Sequence, residues 1–312
     1  MLSRHLKDMG LQCSETSPCL FTGVLLPGQP PIYIGIYVND IIYFSASDDV
    51  EKKFEDMLST IGSVDFMGQV SLFLGTEFAW VHHENGHVTV SLTQQSFIET
   101  LMESLELESC QISTFTTPYK SGHSIDSVLH DDTLSTPARD ALCLQYQRPD
   151  ISTAVSLLAQ HQINPSPGHL ESACYVAQYL ANTKSLGIYF TSCHRSIVES
   201  FLHFPLPDQI LVMSDAHWGP QDASVSRTSS DLPLFISCSM SAFYIDFLGP
   251  LHWASKRQRD TAASSAEAEI YATDECVKFL LDLVQILEFL QVRDLFMPTT
   301  NVIYKSCNRW VM

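Results

Sequence analysis

Three places in the chain carry acidic residues in settings where a carboxylate can do chemistry. Asp40 closes the tetrapeptide Tyr37-Val38-Asn39-Asp40, between the apolar runs 31–37 and 41–45. That pattern predicts two strands joined by a tight turn with the acidic residue at its tip. Alternate residues of a hairpin project to one side from a rigid support, so a carboxylate there is held in place. Asp215 follows the apolar run 210–214 and so ends a predicted strand. Glu267 and Glu269 open a long helical pattern over 265–291. Carboxylates on such supports are ligands for hard divalent cations such as magnesium, which polarise phosphoryl oxygens and activate hydroxyl groups. Each also fits a plainer reading: an ordinary turn for 37–40, a strand-end residue for Asp215, and a helix-start residue for Glu267, where the macrodipole favours negative charge.

One compact basic cluster accompanies them, Ser255-Lys256-Arg257-Gln258-Arg259. It reads either as a phosphate contact or as a solvated loop. The rest of the chain is acidic, with 17 Lys and Arg against 35 Asp and Glu and a formal net charge of −18. Affinity for nucleic acid comes largely from cations that displace counterions from phosphates, so a long basic cleft is excluded. The 9 cysteines include no Cys-x-x-Cys pair, which argues against zinc and fits reduced thiols. His217 near Asp215 reads as a surface histidine rather than a ligand. No apolar signal region and no run of ~20 apolar residues is present, so a cytoplasmic or nuclear protein with no membrane contact is expected.

The elements that must position these residues follow from period and punctuation. Pro27-Gly28-Gln29-Pro30-Pro31 joins two strand-like runs. Asp48-Asp49 reads as the N-cap of an amphipathic helix over 50–58. A second hairpin is expected over 70–80 and 87–92, turning at Glu84-Asn85-Gly86. A helix over 94–107, capped by Thr93 or Ser91, places Phe97, Ile98, Leu101 and Leu105 on one face. Residues 108–147 show no period and read as a linker or long surface crossing. Helices near 151–162 and 169–180 flank Asn164-Pro165-Ser166-Pro167-Gly168. Strands are then expected at 187–191, 210–214, 232–239 and 242–253, a long helix at 265–291, and a last strand at 301–304.

In order and spacing, these motifs resemble the second half of the Pol polyprotein of copia-type LTR retrotransposons. The resemblance rests on Ser17-Pro18-Cys19-Leu20-Phe21, Tyr37-Val38-Asn39-Asp40, Phe73-Leu74-Gly75-Thr76-Glu77 and Ser91-Leu92-Thr93-Gln94-Gln95. It continues through Thr117-Pro118, Arg148-Pro149-Asp150-Ile151, Thr183-Lys184-Ser185-Leu186-Gly187, Ser214-Asp215-Ala216-His217-Trp218-Gly219 and Ala266-Glu267-Ala268-Glu269. It implies an α/β (α+β) architecture: part of a reverse-transcriptase palm over 1–107, a linker with thumb- or connection-like helices over 108–185, and a truncated RNase H-like domain over 186–312. It implies magnesium at Asp40, Asp215 and Glu269, and RNA–DNA hybrid or primer–template beside Lys256, Arg257 and Arg259. Glu269 is preferred to Glu267 at the nuclease position because Ile270-Tyr271-Ala272 is expected to continue the buried helix face.

The sequence also departs from the pattern. Asn39 stands where the family has Asp, which keeps an oxygen ligand but loses a charge. Cys307, in Ser306-Cys307-Asn308, takes the expected place of a third nuclease Asp. Tyr175-Val176-Ala177-Gln178-Tyr179-Leu180 replaces a segment rich in Lys and Arg in the family. The other palm aspartate is expected before Met1 and the fourth nuclease carboxylate beyond Met312. The expectation is a degenerate fragment whose ancestral role was RNA-directed DNA synthesis with hybrid cleavage. The alternatives are a reused non-catalytic binding module and a residual RNase H-type nuclease. The sequence leaves the oligomeric state open.

Overall fold

The computed structural model describes residues 2–84, 86–104, 116–118, 148–161, 167–191, 210–218, 239–247, 249–291 and 303–306. The architecture is mixed α and β. Two compact units are formed, one from Met1–Leu74 with Lys278–Thr300 and the other from Gly75–Val277 with Asn301–Met312.

The first unit begins with α1 (Leu2–Asp8), β1 (Gln12–Cys13), β2 (Leu20–Gly23), β3 (Ile32–Tyr37) and β4 (Asp40–Ser45). It continues with α2 (Asp48–Ser59) and β5 (Leu72–Phe73). Strands β1 to β4 form an antiparallel sheet in chain order. Period-2 alternation turns Ile32 and Ile34 of β3 to one face with Phe21 of β2. Val50, Phe54 and Leu58, spaced by four on α2, cover that face together with Leu6 of α1. Fully burying each such side chain stabilises by about 1.5–3 kcal/mol. The N-cap of α2 is Ser47, not Asp48 or Asp49, which lie in the first helical turn. There they complement the macrodipole, while the Ser47 side chain makes no capping bond.

The second unit contains β6 (Thr76–His82), β7 (Val88–Thr93) and α3 (Gln95–Ser104). A 3-10 turn at Pro149–Ile151 leads into α4 (Ser152–Ala159), followed by α5 (Pro167–Asn182) and β8 (Ile188–Thr191). Next come β9 (Leu211–His217), β10 (Met240–Asp246), β11 (Pro250–Arg257), α6 (Ser265–Phe289), whose residues from Lys278 onward belong to the first unit, and β12 (Ile303–Ser306). Strands β6, β7 and β8 pair antiparallel. The last sheet has the order β11-β10-β9-β12, with β12 parallel to β9 and the other pairings antiparallel. The helices share a core of Ile98, Ile151, Leu158, Val176 and Leu180.

Several motifs read above are structural. Arg148 is buried and grips Asp150 through two nitrogens at 3.0 and 2.5 Å. It also donates to the Thr183 carbonyl and hydroxyl, each at 2.9 Å. The Tyr179 hydroxyl donates to the same Asp150 carboxylate at 2.9 Å. Burial, then Asp150, pushes the Tyr179 phenol up to about 12. The α5 segment 175–180 faces the core with Val176, Ala177, Tyr179 and Leu180 buried, so packing alone accounts for its apolar character.

Three expectations require correction. The run 242–253 is two strands, because Phe247 N–H bonds back to the Gly249 carbonyl and the chain reverses. Gly249 has φ +148, and a Cβ there would meet the Phe190 ring at 2.5 Å, so glycine is required at this turn. The start of α3 is held by a carboxylate from a neighbouring strand: Ser96 N–H donates to Glu77 at 2.8 Å, and the Thr93 hydroxyl donates to Glu77 at 3.2 Å. The Ser96 side chain, then the Ser96 N–H and the Thr93 hydroxyl, hold the Glu77 carboxyl below the usual range. Phe97 on α3 is exposed, whereas Ile98 is buried. Leu105, Asn85, residues 108–115, 119–147, 162–166, 219–238, 301–302, Cys307 and Asn308 lie outside the described residues. No described helix is long and apolar enough to cross a membrane.

Candidate functional site

At the tip of the first unit's sheet, Tyr37 pairs with Asp40 across a turn formed by Val38 and Asn39. All four residues are exposed. Val38 has φ 53, an uncommon conformation for a β-branched residue and a local strain at the tip. Asp40 begins β4 on an open hairpin, and solvent rather than a neighbouring acid surrounds its carboxylate.

The second unit treats its carboxylates differently. β9 is central in its sheet, flanked by β10 and β12. Ser214 is buried and its Oγ lies 3.4 Å from Thr273 Oγ1 on α6, so α6 crosses this face. The α6 face toward the sheet is lined by Ala268, Ala272 and Cys276, all buried, which permits close helix–sheet approach. Pairing with β12 ends at Ser214, and beyond it Ala216 N–H donates to Glu269. The same Glu269 carboxyl lies within hydrogen-bonding reach of Asp215. Burial, then the Asp215 charge, raises the Glu269 carboxyl above its ordinary value. Two carboxylates this close resist both carrying a charge. Glu269 Oε2 is buried without a hydrogen-bond partner.

The junction is fastened on both sides. Gln258 is buried; its Nε2 donates to Ser241 Oγ and to the Ala268 carbonyl, both at 2.8 Å. Trp218 Nε1 donates to the Ala262 carbonyl at 3.2 Å. Glu267 helps close the helix start: Ser264 Oγ accepts its N–H at 3.2 Å, while its own carboxylate accepts the N–H of Ala263, one residue before Ser264, at 2.6 Å. The Tyr271 hydroxyl also donates to it at 2.9 Å, and these bonds hold the Glu267 carboxyl low. The first-turn reading of Glu267 therefore has a physical basis in the structure. The reason given for Glu269 needs correction. Ile270 is 64% exposed and does not continue the buried face; Ala268 and Ala272 do.

The basic cluster is divided by strand alternation. Lys256 forms an ion pair with Glu275 of α6. Arg257 pairs in register with Met240 and projects to the opposite face, with its Nε buried and unpartnered. Arg259 is exposed beyond the strand end. His217, at the end of β9, is exposed. Sequence reading missed the anchoring role of Gln258, although its place beside the cluster was visible.

The residues present fit one hard cation more closely than two. Asp215 and Glu269 offer carboxylate oxygens, one of them buried without a partner, and a divalent ion between them would relieve their repulsion. No group of three His, Cys, Asp or Glu that could hold a metal occurs among the described residues.

No family model and no solved structure matches the chain. Similar curated proteins are found in transposons. The chain is 27% identical over 277 residues to the retrovirus-related Pol polyprotein from transposon RE1 of Arabidopsis thaliana, covering 86% of this chain and 16% of that protein. It is 31% identical over 196 residues to a putative transposon Ty5-1 protein of Saccharomyces cerevisiae, covering 61% and 58%. The RE2 polyprotein of Arabidopsis thaliana is 29% identical over 275 residues, covering 86% and 17%. The chain thus spans about a sixth of the length of the two plant polyproteins. With its motifs in matching order, the chain is thus similar along most of its length to retrovirus-related Pol polyproteins of transposons.

Proposed function

We propose that this chain is a copia-type Pol segment carrying the remnant of a reverse-transcriptase catalytic hairpin, at Asp40, and of an RNase H-type carboxylate site, at Asp215 and Glu269. Its ancestral role is RNA-directed DNA synthesis and cleavage of the RNA–DNA hybrid, and the chain itself performs neither. The observation that supports this reading is the approach of Glu269 to Asp215, where burial and the Asp215 charge raise the Glu269 carboxyl above its ordinary value. Asp215 and Glu269 face one another at a strand–helix junction built to hold them, and Glu269 is driven toward its neutral form. Magnesium, when bound, supplies Lewis-acid polarisation of a phosphate oxygen and activation of a water.

The other residues limit what the chain can do. Asn39 beside Asp40 contributes an amide where a second charge is needed to hold a cation tightly. Lys256 is engaged by Glu275 and must break that pair to reach a phosphate. The net charge of −18 repels a polyanion at long range.

The test uses the full chain with magnesium or manganese. Neither primer extension on RNA or DNA nor hybrid cleavage is expected above a heat-killed control. Calorimetry should detect one weak magnesium site, absent in Asp215→Asn. Template-dependent extension, or metal-dependent cleavage abolished by Asp215→Asn, would overturn the inactive reading.

A further inference from the structure

We infer that His83 and His87, opposed across the β6–β7 hairpin, form a two-histidine site for a borderline divalent transition metal of the copper(II) and nickel(II) class. The backbone sets the pair. β6 and β7 run antiparallel with His82 opposite Val88, and the same register carried one step further sets His83 opposite His87. Two bonds close the loop at that step. His83 N–H donates to the His87 carbonyl at 2.8 Å, and Gly86 N–H donates to the His83 carbonyl at 2.9 Å. Gly86 has φ +81, the left-handed conformation with which a glycine bulge returns a short hairpin loop to register. Directly opposed residues share one face of a sheet, with Cβ atoms about 4.5–5.5 Å apart. Two imidazoles rooted at that separation can reach one ion at nitrogen–metal distances near the ~2.0–2.1 Å typical of zinc.

A hydrogen-bond chain prepares one of the rings. His83 Nε2 lies 2.9 Å from Thr89 Oγ1, and the Thr89 hydroxyl donates to Thr191 Oγ1 at 3.1 Å. With its one proton committed to Thr191, the Thr89 oxygen can only accept from His83. His83 therefore carries its proton on Nε2 and its lone pair on Nδ1, the nitrogen nearer the backbone. Metal-bound histidines share this arrangement: an acceptor on the second ring N–H fixes the tautomer and raises ligand basicity. The same contact settles the face. Thr89 lies two residues beyond His87, so strand alternation puts both on the side that His83 uses. His82 projects to the other side with Val88.

The ligand chemistry selects the ion. Imidazole nitrogen suits copper, nickel and zinc, with copper(II) highest in intrinsic affinity, whereas magnesium takes oxygen ligands. Two protein ligands leave the remaining positions to water, and no third His, Cys, Asp or Glu joins them among the described residues. The net charge of −18 raises the local concentration of any cation. Both ligands belong to one hairpin, so the site draws on no other part of the molecule and is separate from Asp215 and Glu269. A bound ion clips β6 to β7 at the loop, beside the pairing of Thr89 with Thr191 of β8.

The experiment is calorimetric titration of nickel(II), to about 1 mM, into the full untagged chain, a ceiling that admits weak binding. Excess magnesium is present throughout to occupy oxygen-ligand sites. One nickel site is expected. Thr89→Val should weaken it about tenfold, the lower end for loss of an outer partner, and Thr89→Ser, which keeps the hydroxyl, should restore it. His83→Gln and His87→Gln should each weaken it further than Thr89→Val does, and His82→Gln should leave it unchanged. Far-UV circular dichroism confirms that each variant is folded. The unaltered protein gives a second reading: substoichiometric copper(II) should broaden the amide resonances of His83 and His87 before others. A wild type that takes up no nickel below the ceiling overturns the proposal. So does a site that survives in both His83→Gln and His87→Gln, one that His82→Gln weakens equally, or broadening centred elsewhere.

Discussion

The hairpin tip of the first unit and the strand–helix junction of the second both present acidic residues, in opposite physical states. Asp40 stands exposed beside a strained Val38, with an amide as its sequence neighbour. Asp215 and Glu269 meet where β9 passes the start of α6, and one carboxyl is raised by burial and by the other's charge. A carboxylate in open solvent keeps its charge at little cost, but nothing there concentrates that charge into a site. A carboxylate pressed against another is already strained electrostatically, and that strain is what a cation can relieve. On the proposed reading, the junction is therefore the better suited of the two to a cation.

The largest effect in this comparison is expected from loosening the junction. Gln258 joins the end of β11 to α6 through the Ala268 carbonyl and to β10 through Ser241. Gln258→Leu deletes both bonds and removes the donor that reaches the buried Ser241 Oγ, and should cost about 1–2 kcal/mol, at the lower end because Gln258 Oε1 itself lacks a partner. Chemical denaturation of the full chain checks this. A change below ~0.5 kcal/mol would mean that the junction does not depend on the anchor. If the anchor positions the pair, weak magnesium binding should also fall.

A smaller effect is expected from discharging the pair. Because the folded state raises the Glu269 carboxyl above its ordinary value, ionisation there opposes folding. Above the raised value the group is charged in both states and the folded state bears the penalty. As pH falls through that value toward the unfolded one, the folded chain takes up the proton first and this penalty is removed. Glu269→Gln should therefore stabilise at neutral pH, by less than about 1 kcal/mol given the part-exposed site, and the gain should disappear in acid. Magnesium should raise the melting temperature of the wild type and not of the variant. Equal stability of both proteins from neutral to acidic pH would show that Asp215 and Glu269 are not coupled.

The two regions also differed in how far sequence revealed them. The hairpin was legible because its signals are local: two apolar runs, a short polar interruption and a period of two. The helix α2 was legible because Val50, Phe54 and Leu58 recur at helical spacing, though Ser47 as its cap was missed in favour of two aspartates that suit a first turn equally well. At the junction the strand and helix could be read, but the atoms that fasten them could not. Gln258 finds its partners on a different strand and in the helix, and its burial depends on their arrival. Arg148 grips Thr183 across 35 residues of chain, a contact no periodicity encodes. The β10–β11 turn carried a local signal, Gly249-Pro250, but it was hidden within a continuous apolar run.

The smallest effect is expected where the family motif is restored most directly. Asn39→Asp rebuilds the acidic pair at the hairpin tip, beside Asp40, in a position already exposed to water. Solvent screens the new repulsion, so stability should change by no more than ~0.5 kcal/mol, as at other surface sites. Adjacent turn residues can hold a hydrated cation loosely, and a slight gain in manganese or magnesium affinity is expected by calorimetry. Primer extension should remain absent, because two carboxylates on an open hairpin exclude no water and orient no primer, and phosphoryl transfer depends on both. The same Asn→Asp change at a buried junction would be costly; here it is nearly free, and nearly without consequence. Template-dependent synthesis by the Asn39→Asp protein would reverse that judgement and place the working site at the tip, not at the junction.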